Sequence, residues 1–146
     1  MTTDTKSTGP TANPHTPTTT RRAVTLFDLS GGAAALTALA HDFYGRVLAD
    51  PLLIPLFADP TEDHAGRMAD WLIEITGGPP RHSASRGGFS TMVRAHGGLG
   101  ISEAQRGRWA SHMMAACEET RMAPEFLGHF RKYIEGGSHL AMRQSR

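Results

Sequence analysis

The stretch Met92-Val93-Arg94-Ala95-His96-Gly97-Gly98-Leu99-Gly100-Ile101 places one histidine at the end of a short helical run, followed by glycines and apolar residues. A neutral imidazole is a good ligand for iron. A lone histidine near apolar residues is also an ordinary packed or surface side chain, so the stretch alone leaves both readings open. Elsewhere, three polar-tipped groups fall on apolar helical faces: Tyr44, His64 and Trp109. Each can bond a carbonyl or face water, as buried Tyr and Trp commonly do. Gathered around a cofactor, the same O–H and N–H groups would converge on a small anionic ligand, where hydrogen bonds are roughly twice as strong as neutral ones.

Composition narrows the field. Eight histidines in 146 residues are the oddity and justify looking for a metal or cofactor. Cys117 is the only cysteine, which excludes an intramolecular disulfide and a cysteine-based zinc site. It fits a reducing compartment, most simply the cytoplasm, and a small core residue. A net charge of +1 offers no broad basic footprint for nucleic acid or acidic lipid, and a helix-turn-helix DNA binder would lack its usual basic face. No apolar run approaches the roughly 20 residues of a membrane span. With 39% apolar residues, the chain can build the core of one domain.

The chemistry-bearing residues need elements to position them. Residues 1–22 are rich in Thr, with Pro10, Pro14 and Pro17, and are expected to be a disordered tail. Residues 23–146 are expected to form the domain. Arg21-Arg22 followed by Ala23-Val24 imitates a twin-arginine export signal, with Ala38-Leu39-Ala40 as a cleavage-like site. Asp28 and Ser30-Gly31-Gly32 interrupt the apolar core such a signal needs, so export is disfavoured.

From Ser30, read as an N-cap, Leu36, Leu39, Phe43, Tyr44 and Val47 recur at helical spacing until Asp50-Pro51. Leu52 to Phe57 is a short apolar connector, a turn of 3₁₀ or α-helix. Thr61 or Asp63 starts a helix with His64, Met68, Trp71, Leu72 and Ile75 on one face, stopped by Gly77-Gly78-Pro79-Pro80. Residues 81–88 read as a loop, and Phe89 to His96 as a short helix. Ser102-Glu103-Ala104-Gln105 is a capping pattern opening a long helix with Trp109, Met113, Ala116 and Cys117. Pro124 suits the first turn of a last helix, whose inner side is read as Phe126, Phe130, Tyr133, Ile134 and Leu140. No alternating run appears, so the fold class is all-α.

Taken together, these pieces resemble the truncated globins, and within them group II. The resemblance runs from about Leu26 to Leu140. It rests on Leu26-Phe27-Asp28 with Gly31-Gly32, on Phe43-Tyr44, and on Asp50-Pro51 leading to Leu56-Phe57. Gly77-Gly78-Pro79, Arg94-Ala95-His96 and Trp109, seven residues after Ser102, complete it. The tryptophan in the long helix favours group II.

That resemblance implies a two-over-two helical sandwich binding haem b, with His96 as proximal iron ligand and Phe57 packed on the porphyrin. Tyr44 and Trp109 become distal donors. His64 and Met68 face the ligand from the distal helix, with Arg67 between them and Trp71 one turn on. Arg67 and His82 fall where family members contact haem propionates, and Arg94 is a further candidate for that role. Phe89, Met92, Val93, Leu99 and Ile101 supply apolar proximal walls. Two departures stand out: Phe89-Ser90 replaces a frequent His-Pro pair, and His64 stands where group II members often have a small or non-basic residue. His64 is left to one of two roles, a sixth iron ligand or a member of the hydrogen-bond cluster.

The implied activity is reversible binding of O2, NO, CO or peroxide, with slow oxygen dissociation. NO-dioxygenase or peroxidase-type chemistry would need an unidentified reductase, because no flavin or nicotinamide fingerprint is present. Rival classes are a haem-based sensor or store without turnover, and a haem-free helical interaction module. His41, His112, His129 and His139 are expected to be surface or packing residues, and a homodimer is left open.

Overall fold

The computed structural model describes residues 23–146, so the expected tail, with His15 and Arg21-Arg22, lies outside the described residues. Among the described residues every regular element is helical. Thr25 and Asp28 form a capping box, the Thr25 hydroxyl accepting from Asp28 N–H at 3.1 Å and the Asp28 carboxylate accepting from Thr25 N–H at 3.0 Å. This pair starts a short helix α1 (Leu26–Ser30) that reading the sequence as beginning at Ser30 misses.

Ser30 is therefore not the N-cap of the next helix. It is buried at the end of α1, donates to the Phe27 carbonyl and accepts from Gly32 N–H. Gly31 and Gly32, at φ +91° and +97°, turn the chain into α2 (Ala33–Val47) in a conformation costly for other residues. Leu36, Leu39, Phe43 and Val47 are fully buried along one side of α2. Ala38-Leu39-Ala40 lies mid-helix, with Leu39 and Ala40 in the core.

Asp50 ends this segment and locks it to its neighbour. Its buried carboxylate accepts from Leu52 N–H, from Arg108 at 3.0 Å and from His112 at 2.7 Å. The connector makes a 3₁₀ turn at Ile54–Leu56. Asp63 caps α3 (His64–Ile75) by accepting from Gly66 N–H. At its far end Phe27 N–H donates to the Thr76 carbonyl at 2.7 Å, and the Phe27 ring lies where a side chain on residue 78 would stand.

Residues 81–88 are not a plain loop. Arg81–Ser85 form a helical turn, α4, held to α3 by Ser83 N–H and Oγ on the Glu74 carboxylate at 3.1 and 3.0 Å. That tertiary anchor is invisible to a local reading. Then follow α5 (Gly88–His96), α6 (Glu103–Glu119) with the Ser102/Gln105 capping box, and α7 (Pro124–Gln144). Helix α2 packs on α3 and α6, and α6 packs on α7, giving one pair over another, while α5 rests on α4 and α7. Phe126 and Phe130 stack at 4.7 Å beneath Met113 and Cys117 in the shared core. Tyr133, read as inner, is 41% exposed, although its neighbour Ile134 is buried. No helix of the described residues is long and apolar enough to cross a membrane.

Candidate functional site

A cavity of about 770 Å³ opens between α3 and α5, with α2, α6 and α7 behind it. Small-molecule sites run from roughly 300 to 1,000 Å³. Tyr44 and Phe57 line it from α2 and the connector, and His64, Arg67, Met68 and Trp71 from α3. His82 enters from α4, and Phe89, Met92, Val93 and His96 from α5. Leu99, Ile101 and Trp109 complete the wall. Arg94 departs from expectation: it is exposed and borders a shallow outer depression with Phe89, Ser90 and Val93, outside the cavity lining.

On the α5 side, His96 Nδ1 lies 2.8 Å from the Met92 carbonyl. A carbonyl only accepts, so Nδ1 carries the proton and the neutral ring keeps its lone pair on Nε2. This is the orientation in which a second hydrogen bond fixes a metal-ligating histidine.

On the other side an aromatic cluster fixes two donors. The buried Phe43 ring meets Tyr44 edge-on at 5.0 Å and Trp109 at 5.1 Å. Burial pushes the Tyr44 phenol up to about 12, slightly offset by Arg67, so its hydroxyl is a neutral donor at pH 7. Neither that hydroxyl nor the Trp109 indole N–H has a protein hydrogen-bond partner among the described residues.

His64 adopts a third arrangement beyond the two expected. Its Nε2 donates to the Asp59 carbonyl at 2.7 Å, and its ring stacks on Tyr44 at 5.7 Å. Thr61 closes the loop below by donating from N–H and Oγ to the Asp59 carboxylate. With Nε2 donating to the loop, the neutral ring keeps its lone pair on Nδ1.

At the rim, Arg67 pairs with Glu62 at 2.7 Å. His82 packs edge-on against Trp71 at 5.0 Å, and its buried Nδ1 has no partner. A buried ring nitrogen left bare beside a cavity marks a place for a missing polar group. Arg86, Arg106 and Ser138 also line the cavity and were not singled out in the sequence, while Gln105 and Tyr133, which line it too, were read only as a cap and as a packing residue. Arg86 donates to Asp70 at 2.8 Å; spacing it four residues after His82 is a signal only once α4 is known to be helical. These donors fit a haem: an imidazole lone pair, a mainly apolar slot, and polar rim groups suited to carboxylates.

The family model for bacterial-like globins matches residues 25–142. The chain belongs to the bacterial-like globin family. Membership makes it a haem globin that binds small ligands. A group 2 truncated haemoglobin of Bacillus subtilis is 29% identical over 77% of this chain and 81% of its own length. A group 1 truncated haemoglobin of Tetrahymena thermophila is 28% identical over 79% and 92%. The haemoglobin of Chloroflexus aurantiacus superposes with a TM-score of 0.75 at 28% identity, over 82% of this chain and 98% of that one. The pairs α2/α3 and α6/α7 are the two-over-two layers of this globin. Relatives named as group 1 and as group 2 truncated haemoglobins thus match at nearly equal identity.

Proposed function

We propose that this globin carries haem b on His96 and binds O2, NO, CO or peroxide on the side of Tyr44 and Trp109. The reading rests on the 2.8 Å bond from His96 Nδ1 to the Met92 carbonyl, which reserves Nε2 for a metal. When bound, haem would supply an open iron site for diatomic ligands and a ferric–ferrous couple. Phe57 and Met68 exclude water from the distal side, and Met92 and Ile101 do so beside His96. Tyr44 and Trp109 donate to a ligand as it gains negative charge, and preorganised donors of this kind serve retention and redox use more than release. His82 and Arg67 take the cofactor carboxylates at the rim. His64, tied to the loop carbonyl, braces Tyr44 and leaves the ligand position free.

The reactions this suits are oxidation of nitric oxide to nitrate and reduction of peroxide, each with electrons from an external donor. Cys117, free and buried, fits work in a reducing compartment such as the cytoplasm. Visible spectra of ferric, dithionite-reduced and CO-bound protein, beside His96→Ala, test the reading. We expect a Soret band that shifts with CO and is lost or grossly altered in the variant. A colourless protein that takes up no added haemin would overturn it and leave a helical interaction module.

A further inference from the structure

We propose that Ser145 is a positioning residue for the His96 side of the cavity, a proposal that rests on the preceding reading of His96 as the iron ligand. The segment joining α5 to α6 carries Gly97, Gly98 and Gly100, the last two at φ +75° and +62°. Such a chain has many conformations open to it, so contacts from outside must select one. Two of its hydrogen bonds are local, from Gly97 N–H to the Arg94 carbonyl at 3.2 Å and from Leu99 N–H to the His96 carbonyl at 3.4 Å. Among the described residues, its backbone bonds to the rest of the fold both end on Ser145. Gly100 N–H donates to the Ser145 carbonyl at 2.8 Å, and Ile101 N–H to the Ser145 hydroxyl oxygen at 3.0 Å.

Ser145 is itself held in place. It closes α7, is 1% exposed, and its hydroxyl donates to the Met142 carbonyl at 2.6 Å. The hydroxyl proton is thereby committed to α7, which leaves an oxygen lone pair for Ile101 N–H. At that depth bulk water does not replace the oxygen once it is removed. Two consecutive amides on one residue fix the direction of the loop as well as its place.

The loop reaches His96 in two ways. Leu99 and Ile101 line the cavity with His96, and the Leu99 amide returns to the carbonyl of His96 itself. The Met92 carbonyl orients the imidazole, but it lies four residues back on the same helix and cannot by itself fix where the end of α5 stands. Ser145 supplies a reference at that end from α7. The tether therefore acts on the depth and tilt of the imidazole, the quantities that partners behind a ligating histidine control.

The whole chain loaded with haem tests this. Ser145→Ala removes the oxygen and leaves the Gly100 bond. Exchange of the Ile101 amide, followed by NMR in the CO-bound protein, should quicken about tenfold or more. The iron–histidine stretch of the reduced, ligand-free protein should shift in resonance Raman spectra, and haem transfer to apomyoglobin should quicken about fivefold or more. Ser145→Thr keeps the hydroxyl and should restore the parent band. Thr76 is buried outside the cavity lining, with its hydroxyl on the Leu72 and Ile73 carbonyls. Thr76→Val removes a comparable hydroxyl and should lower Tm without moving the band, which separates positioning from stability.

An unchanged band and haem-transfer rate in Ser145→Ala, or an equal shift in Thr76→Val, would overturn the proposal and leave His96 as the ligand. So would a Ser145→Thr variant whose Ile101 exchange returns to the parent rate while its band stays shifted. An iron–histidine band that persists in His96→Ala would overturn the reading of His96, and the proposal with it.

Discussion

Tyr44→Phe removes one oxygen and leaves the ring. The edge contacts with Phe43 at 5.0 Å and Phe57 at 6.0 Å, and the stack on His64 at 5.7 Å, all survive. In the ligand-free fold the lost hydroxyl had no protein partner, so no intramolecular bond is broken. That hydroxyl is not among the atoms shut off from solvent, so cavity water can satisfy it and its removal recovers little. We therefore expect the ligand-free variant to be unchanged or about 1 kcal/mol more stable, a rise in Tm of up to about 4 °C.

The ligand-bound state moves the other way. A hydrogen bond to a charged partner is worth about 1.5–3 kcal/mol, so oxygen dissociation should accelerate about 10- to 150-fold. Stopped-flow displacement of O2 by CO, with thermal melts of the same preparations, measures both. Trp109→Phe, whose ring keeps the edge contact with Phe43, should act in the same direction. A dissociation rate within twofold of the parent, or a Tm lower by more than about 5 °C, would refute the argument that Tyr44 is a free donor on the ligand side.

Alkaline stability follows from the same burial. Tyr44 is raised from 10.0 to about 12 and Cys117 from 9.0 to about 12, so the unfolded chain ionises first. Their stabilising contribution is complete below pH 9 and is lost as pH rises from there toward 12, which denaturant melts across that window will show. Asp50 behaves oppositely: the His112 hydrogen bond, with Leu52 N–H and Arg108, holds its carboxyl below the usual range. Stability from Asp50 is present above the ordinary carboxylate pKa and fades as pH falls through its lowered value, and Asp50→Asn should lower Tm at pH 7 and flatten the acid limb. Gly78→Ala should cost about 1–3 kcal/mol, since its Cβ would lie 2.7 Å from the Ile73 carbonyl and the Phe27 ring; an unchanged urea midpoint would contradict that packing. Asp59→Ala loosens the loop that holds His64 Nε2, and a six-coordinate spectral component absent from the parent is expected. A spectrum identical to the parent would show that the tether does not control His64.

The sequence by itself determined the helices that carry their own start signals and apolar stripes. Ser102 with Gln105 opens α6, Asp63 opens α3 and Pro124 opens α7 as read, because caps and periodicity act within a few residues. Leu36, Leu39, Phe43 and Val47 were legible as core for the same reason. It also supplied much of the cast of the cavity, since nine polar-tipped and aromatic residues singled out there line it: Tyr44, Phe57, His64, Arg67, Trp71, His82, Phe89, His96 and Trp109.

Tertiary structure alone decided what depends on partners distant in the chain or on loop geometry. Helix α4 exists where Ser83 finds Glu74, nine residues away, and the turn buries Ser30 as a terminator of α1 instead of a cap. Arg94 lies outside the cavity because α5 rotates it outward, while Arg86, read as loop, reaches the lining. His64 is the clearest case. Its identity permitted an iron ligand or a distal donor, but a backbone carbonyl at Asp59 claims its Nε2, and carbonyl positions are set by loop conformation and carry no side-chain signature in the sequence.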